Sequence, residues 1–243
     1  MKNESMKLPK KITPCPIVEA LVEVRFESDL PGEAIFGIIY NAFQKEFPKF
    51  DKLPILELPD QIRSNDPNLK YLPHYKLSVG DYIIQVGPKV FSFSNINEYV
   101  GWEVFYKEIS LIFKKINELR IIKETQTWSF RCINIFPEIN IFEKSDLNIT
   151  LKKNRLEKDI NLLINLPSNG FVNVLRMVSF AELVSGSGKL LRGSVIDIDT
   201  KSSEKSSDCS DMERIISAAH LEEKKLFFSL LEDEYIKSLK PEY

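Results

Sequence analysis

Several groups of residues have types and spacings that could do chemistry. Asp197 and Asp199, followed by Lys201, lie in a stretch with strand-like alternation. Alternate carboxylates on a strand project to one face, where they could share a divalent cation beside the lysine, the local pattern of a metal-dependent nuclease or hydrolase. Glu19 or Glu23 could add a third carboxylate only if the first strand lies beside the last. Glu-x-Lys recurs at Glu222 and Glu223, so in a chain this charged the expected role of the pair is a solvated strand edge.

Ser185-Gly186-Ser187-Gly188-Lys189 looks like a phosphate loop but fails the pattern. Leu183 stands where the leading glycine is needed, and Leu190 where Ser or Thr would follow the lysine. A hairpin loop is the expected reading. Cys209 and His220 could form a nucleophilic pair only in contact and with an orienting acid. The expectation is an exposed thiol before the last helix and a histidine on that helix's surface, with His74 at a strand entry. Lys152, Lys153 and Arg155, with Lys158 nearby, are the one basic cluster suited to phosphate. They sit at an expected hairpin tip without interleaved aromatics, so nucleic-acid binding is weakly supported. Trp102, Trp128, Phe91, Phe93, Phe105 and Phe130 have core spacing, although a sheet curved around a helix could leave a pocket among them.

These residues need elements to position them, and residues 82–116 carry the plainest pattern. Tyr82 to Val86 and Val90 to Phe93 are β-rich runs around Gly87-Pro88-Lys89, which predicts a hairpin. Trp102, Phe105, Ile109, Ile112, Phe113 and Ile116 then recur at three and four, the stripe of a helix lying on that hairpin. Upstream, Val22, Val24 and Phe26 alternate with Glu23, Arg25 and Glu27, predicting a strand with one buried face. A helix follows through Ile35, Ile39 and Phe43, stopped by Pro48. Residues 49–73 read as one short strand at Ile55 to Leu58 and a long loop, and residues 75–79 as a further strand.

The second half reads as strands over residues 128–136, 147–151, 160–166, 171–180 and 191–199, with Pro167-Ser168-Asn169-Gly170 the best turn. Residues 201–210 are Ser-rich and predict a mobile loop. Met212, Ile215, Ile216, Ala219, Leu226, Phe227, Leu230 and Leu231 predict a last helix. The fold class is therefore α+β, antiparallel sheets with helices packed on one face, in two related halves over residues 15–123 and 124–243 that form one unit. Turns this short exclude parallel crossovers.

Composition bounds the rest. The chain has 243 residues, 43% hydrophobic and 28% charged, with a formal charge of −2, the profile of a folded protein with no global pull toward polyanions. Three distant cysteines and two histidines argue against a disulfide framework and a zinc site, so no metal or cofactor is expected. The first residues lack an apolar signal core and no run suits a membrane span, so a cytoplasmic protein with no membrane partner is expected.

Pro16-Ile17-Val18-Glu19-Ala20-Leu21-Val22-Glu23-Val24-Arg25-Phe26, Gln85-Val86-Gly87-Pro88 and Gly101-Trp102-Glu103-Val104-Phe105 together resemble a sporadically distributed family of uncharacterised prokaryotic proteins of about this length. The ending Leu230-Leu231-Glu232-Asp233-Glu234-Tyr235 is similar too. The resemblance implies an accessory role in a mobile or defence-associated system and supplies no catalytic residue. The expectation is a non-enzymatic protein-interaction or regulatory protein whose partner is another protein. A metal-dependent nuclease or hydrolase using Asp197, Asp199 and Lys201 is the alternative.

Overall fold

The first strand, β1 (Ile17–Glu27), alternates as the sequence predicts, and its fully buried Ala20, Val22, Val24 and Phe26 form one face. In the computed structural model, which describes residues 7–156, 158–184, 190–206 and 208–243, that strand lies near the middle of a nine-stranded sheet. Helix α1 (Gly32–Phe43) follows, then β2 (Lys49–Lys52), α2 (Asp60–Asn65), β3 (Tyr75–Val79), β4 (Tyr82–Gly87), β5 (Val90–Ile96) and α3 (Trp102–Glu118). The second half supplies β6 (Glu124–Pro137), the small hairpin β7 (Thr150–Leu151) and β8 (Asn154–Arg155), and then β9 (Asn161–Ser168), β10 (Phe171–Val184) and β11 (Leu190–Ser202). Helices α4 (Met212–Leu230) and α5 (Asp233–Ser238) close the chain.

The strand order is β2-β3-β4-β5-β1-β6-β11-β10-β9, and every neighbouring pair is antiparallel. Each half therefore places its first strand centrally, its last strand beside that one, and the preceding strands outward. The halves join through β1 and β6, where Val22 faces Phe130 and Val24 faces Trp128. One sheet thus runs unbroken across the boundary at residues 123 and 124.

Antiparallel sheets bury one face and leave the other to water. Here α1, α3 and the start of α4 cover one face, sharing a core with Val22, Phe91, Phe93, Phe105, Phe113, Trp128 and Phe130. A second core gathers Phe136, Leu175, Met177, Ile196 and Ile198 under Phe227, Phe228 and Leu230 of α4. Helix α4 belongs to both: residues through Ala219 pack in the first core and residues from Phe227 in the second. Residues 220–224 cross the gap.

Several local expectations differ from the structure, and the strand expected over residues 147–151 shrinks to the two residues of β7. The segment at Ile55 to Leu58 is a 3-10 turn, Pro54–Glu57, because Pro54 fixes the φ of its first residue and removes a ladder donor. Residues 49–73 also hold β2, wholly exposed, and the six-residue α2. Residues 201–210 are docked where described: β11 runs to Ser202, Thr125 N–H donates to Ser206 O at 2.8 Å, and Cys209 N–H donates to Asn117 Oδ1 at 3.1 Å. Among the described residues, no helix is long and apolar enough to cross a membrane.

Candidate functional site

Asp197 and Asp199 project from β11 onto the helix-free face, as alternation requires. Arg131 of the adjacent β6 closes on Asp197 with two bonds of 2.7 Å, from Nε to Oδ1 and from Nη2 to Oδ2. Lys201 Nζ lies 2.9 Å from Asp199 Oδ2, whose partner oxygen Oδ1 is buried without a bond. Strand β6 separates β11 from β1, so Glu19 stands in rank with Ile133 and Asp197. Burial lifts the Glu19 carboxyl above its ordinary range, Arg131 opposes that, and Asp197 adds to it. A guanidinium fork thus takes up the negative charge that a shared cation would need. Among the described residues no three His, Cys, Asp or Glu side chains are placed to hold a metal ion.

The other candidates are placed as follows. Lys152 and Lys153 form the left-handed turn of the β7–β8 hairpin at φ 49° and 70°, and both are exposed, as is Arg155. Residues 185–189 lie outside the described residues. His74 sits at 7% exposure with its Nδ1 3.2 Å from Arg63 Nη1.

Cys209 and His220 require correction. Cys209 is buried, and burial pushes its thiol up to about 12, the reverse of a reactive cysteine. It precedes α4, whereas His220 stands more than two turns along that helix, and the two are not brought together. Nor is His220 a surface residue. Its imidazole stacks on Trp102 with ring centroids 3.7 Å apart and planes at 5°, and meets Phe130 edge-on at 5.3 Å. Burial, aided by Lys224, lowers its pKa to about 3, so the ring is neutral.

Trp102 therefore bridges α3 and α4, while Phe105, stacked on Phe93 at 5.6 Å, holds α3 to the β4–β5 hairpin. Trp102→Ala should lower stability by about 3 kcal/mol. It should also let the His220 pKa climb, since the indole is part of what excludes water. A proton-NMR titration with a denaturation curve checks both, and an unmoved His220 resonance would count against the stack.

The stack forms part of a cavity of about 440 Å³ in the gap that α4 crosses between the two cores. Its floor is Cys132 and Asn134 of β6, its helical walls are Trp102, His220, Glu223, Phe227 and Phe228, and Tyr99 and Val100 enter from the loop before α3. That loop is set by Asn95, whose Oδ1 accepts from Val100 N–H at 3.1 Å, and by Gly101 at φ 87°. The outer wall is the arm of residues 9–17. Backbone bonds hold the arm to the C-terminal segment: Lys10 N–H to Glu242 O at 2.6 Å, Glu242 N–H to Lys11 O at 2.9 Å, and Thr13 N–H to Leu239 O at 2.6 Å.

Two neighbouring carboxylates of α4 have opposite fates. Burial alone would raise Glu222, yet bonds from Lys225 Nζ at 2.7 Å, Ser168 Oγ at 2.9 Å and Asn169 Nδ2 at 3.0 Å outweigh it and hold the carboxyl below its usual range. Glu222 thereby pins the β9–β10 turn. Glu223 is 6% exposed, lines the cavity, and receives no hydrogen bond or ion pair from the described residues. Burial pushes it up to about 8, with Lys224 opposing weakly. Tyr99 and Cys132 are likewise raised, first by burial.

Such a cavity, with an apolar lining and a few convergent polar groups of perturbed pKa, has the composition of a ligand site. Sequence reasoning missed it because Glu223 reads as helix surface. The usable signal was the spacing of His220 and Glu223, which at i and i+3 put two titratable groups on one helix face beside the apolar Ala219, Leu226 and Phe227. Searches against protein-family models and curated proteins find no match for the chain.

Proposed function

We propose that this is a non-enzymatic binding protein, an accessory or regulatory component of a prokaryotic system, which takes a small ligand beneath its N-terminal arm and acts through a protein partner. The observation that carries this reading is Glu223: a carboxyl in a largely apolar cavity with no hydrogen-bond or ion-pair partner among the described residues. A carboxyl held in a largely apolar lining and open to the cavity suits a group whose partner arrives from outside. The cavity wall joins the arm to the C-terminal segment, so occupancy bears directly on how the arm is held. Arg131, bonded at both carboxylate oxygens of Asp197, disfavours the nuclease alternative on Asp197, Asp199 and Lys201.

Protein purified natively from its own host and then denatured should release a small molecule in near-stoichiometric amount, read by mass spectrometry. Val100→Trp, which places a ring at the mouth from an exposed position, should release far less. Absence of any released compound, together with no stabilisation by the low-mass fraction of host extract, would overturn the proposal. So would magnesium- or manganese-dependent DNA or RNA cleavage that disappears in an Asp197→Ala, Asp199→Ala double variant.

A further inference from the structure

We propose that the ligand is a nucleoside phosphate whose amino-bearing base enters the cavity to meet Glu223 and whose phosphate stays at the mouth among Lys10, Lys11 and Lys224. This rests on the reading of the cavity as a ligand site and names the class that fits it. Three features decide the class. The first is the partition of charge: of the two acids lining the cavity, Glu223 is buried and Glu103, at the start of α3, is exposed, whereas the three lysines come from the arm and from the next residue of α4. The half-buried Lys224 ammonium is disfavoured first by burial and also by Lys10, with Glu223 opposing, so an anion placed between the lysines relieves both costs. Among the described residues Lys10 Nζ donates to Tyr243 O, at 3.4 Å on the surface.

The second feature is the lining. Trp102, Phe227 and Phe228, with the neutral His220 ring held against Trp102, offer flat apolar surface of the kind on which bases stack. The third is the hydrogen-bonding character of the acid. A protonated carboxyl is one donor and one acceptor side by side, and the amino edge of adenine, N1 with the N6 amino group, presents the matching acceptor and donor. A simple metal cation lacks the several oxygen ligands it would require here, since no three acidic or other ligating side chains converge among the described residues. A volume of about 440 Å³ lies within the range for organic ligands.

Calorimetric titration of the full chain with AMP, ADP, GMP, adenosine and inorganic phosphate tests the class. Adenine nucleotides should bind, adenosine should bind more weakly, and phosphate alone should not register. Glu223→Leu should weaken AMP roughly ten- to hundredfold, the loss of about two hydrogen bonds, while Glu223→Gln, which keeps a donor and an acceptor, should retain most of the affinity. A Lys10→Gln, Lys11→Gln, Lys224→Gln variant should lose the preference of AMP over adenosine and the sensitivity to salt. Melting curves of each variant establish that it is folded, and Glu223→Ala, which removes both hydrogen-bonding atoms, serves where Glu223→Leu is not. If no nucleotide binds while native protein releases some other compound, the class is wrong and the cavity remains a ligand site. If nothing binds and nothing is released, both readings fall. Binding that Glu223→Leu and the lysine variant leave unchanged places the nucleotide elsewhere and also overturns the proposal.

Discussion

Replacing Glu223 with glutamine should stabilise the protein by roughly 5 kcal/mol above pH 8 and change it little below pH 4.5. The sign follows from a carboxyl whose pKa is about 8 in the fold against an ordinary value of 4.5. Below 4.5 both folded and unfolded chains hold the proton, and the acid contributes nothing. As pH rises past 4.5 the unfolded chain ionises and the folded chain does not, so stability falls by about 1.4 kcal/mol per pH unit until the folded carboxyl ionises too. Glutamine has no proton to lose and escapes that decline. The titratable and charged groups that share the cavity with the carboxyl are His220 and Lys224 from α4, Glu103 from α3, Tyr99 from the loop before it, Cys132 from β6, and Lys10, Lys11 and Cys15 from the arm.

Of these His220 has the opposite slope. Its folded pKa near 3 lies below the ordinary 6.5, so the unfolded chain takes up a proton first and stability is lost as pH falls from 6.5 to 3. Wild-type protein should therefore weaken on both sides of a plateau between about 4.5 and 6.5, where the two slopes oppose each other. Glu223→Gln should keep the acid limb and lose the alkaline one. Urea denaturation at pH 4.5, 6.5 and 8.5 measures this, and parallel profiles for the two proteins would show that Glu223 is already ionised and partnered in the fold.

How much of this was legible in the sequence depends on the distance over which each feature is determined. Strand β1, the β3–β4–β5 meander and helices α3 and α4 follow from periodicity, because one face of each meets apolar side chains and the other meets water. The same logic fails for β2, an edge strand with four exposed residues, and for α2, which buries none. Local pattern is also silent on strand order. That β1 pairs with β6 across about a hundred residues depends on Val22 and Val24 meeting Phe130 and Trp128, and no turn chemistry encodes it. The cavity shares this limit, since its walls come from residues 9–17, 99–104, 132–134 and 220–228. Asp197 and Asp199 were visible as a shared face, but Arg131, which decides what they do, lies on another strand. Cys209 was misplaced for a related reason: its polar neighbours Asp208 and Ser210 made the segment read as solvent-facing, while Asn117 of α3 draws the backbone inward.

Two glycine-to-alanine changes should act with opposite signs and test the junction of the halves. Gly193 of β11 sits opposite Pro137 of β6, and a Cβ there would lie on the Phe136 carbonyl, 2.7 Å from its carbon and 3.0 Å from Pro137 Cα. These are backbone atoms of a paired strand and cannot rotate away as a side chain would, so the strands must part. Beside this contact Ser194 Oγ donates within reach of Ile139 O and Ser179 O, each at 2.6 Å, and accepts from Ile141 N–H at 3.0 Å. Parting the strands loosens that knot, with Ile141 and Phe142 of the second core behind it. Gly193→Ala should cost about 3 kcal/mol, at the upper end for overpacking a well-filled site. Gly37 is an exposed residue inside α1 where an added Cβ meets nothing within 4 Å. There alanine only restricts the unfolded chain and favours the helix, so Gly37→Ala should add about 0.5 to 1 kcal/mol. Urea midpoints of the two variants should move in opposite directions from wild type, and a neutral Gly193→Ala would mean that β6 and β11 do not approach as closely as their register requires.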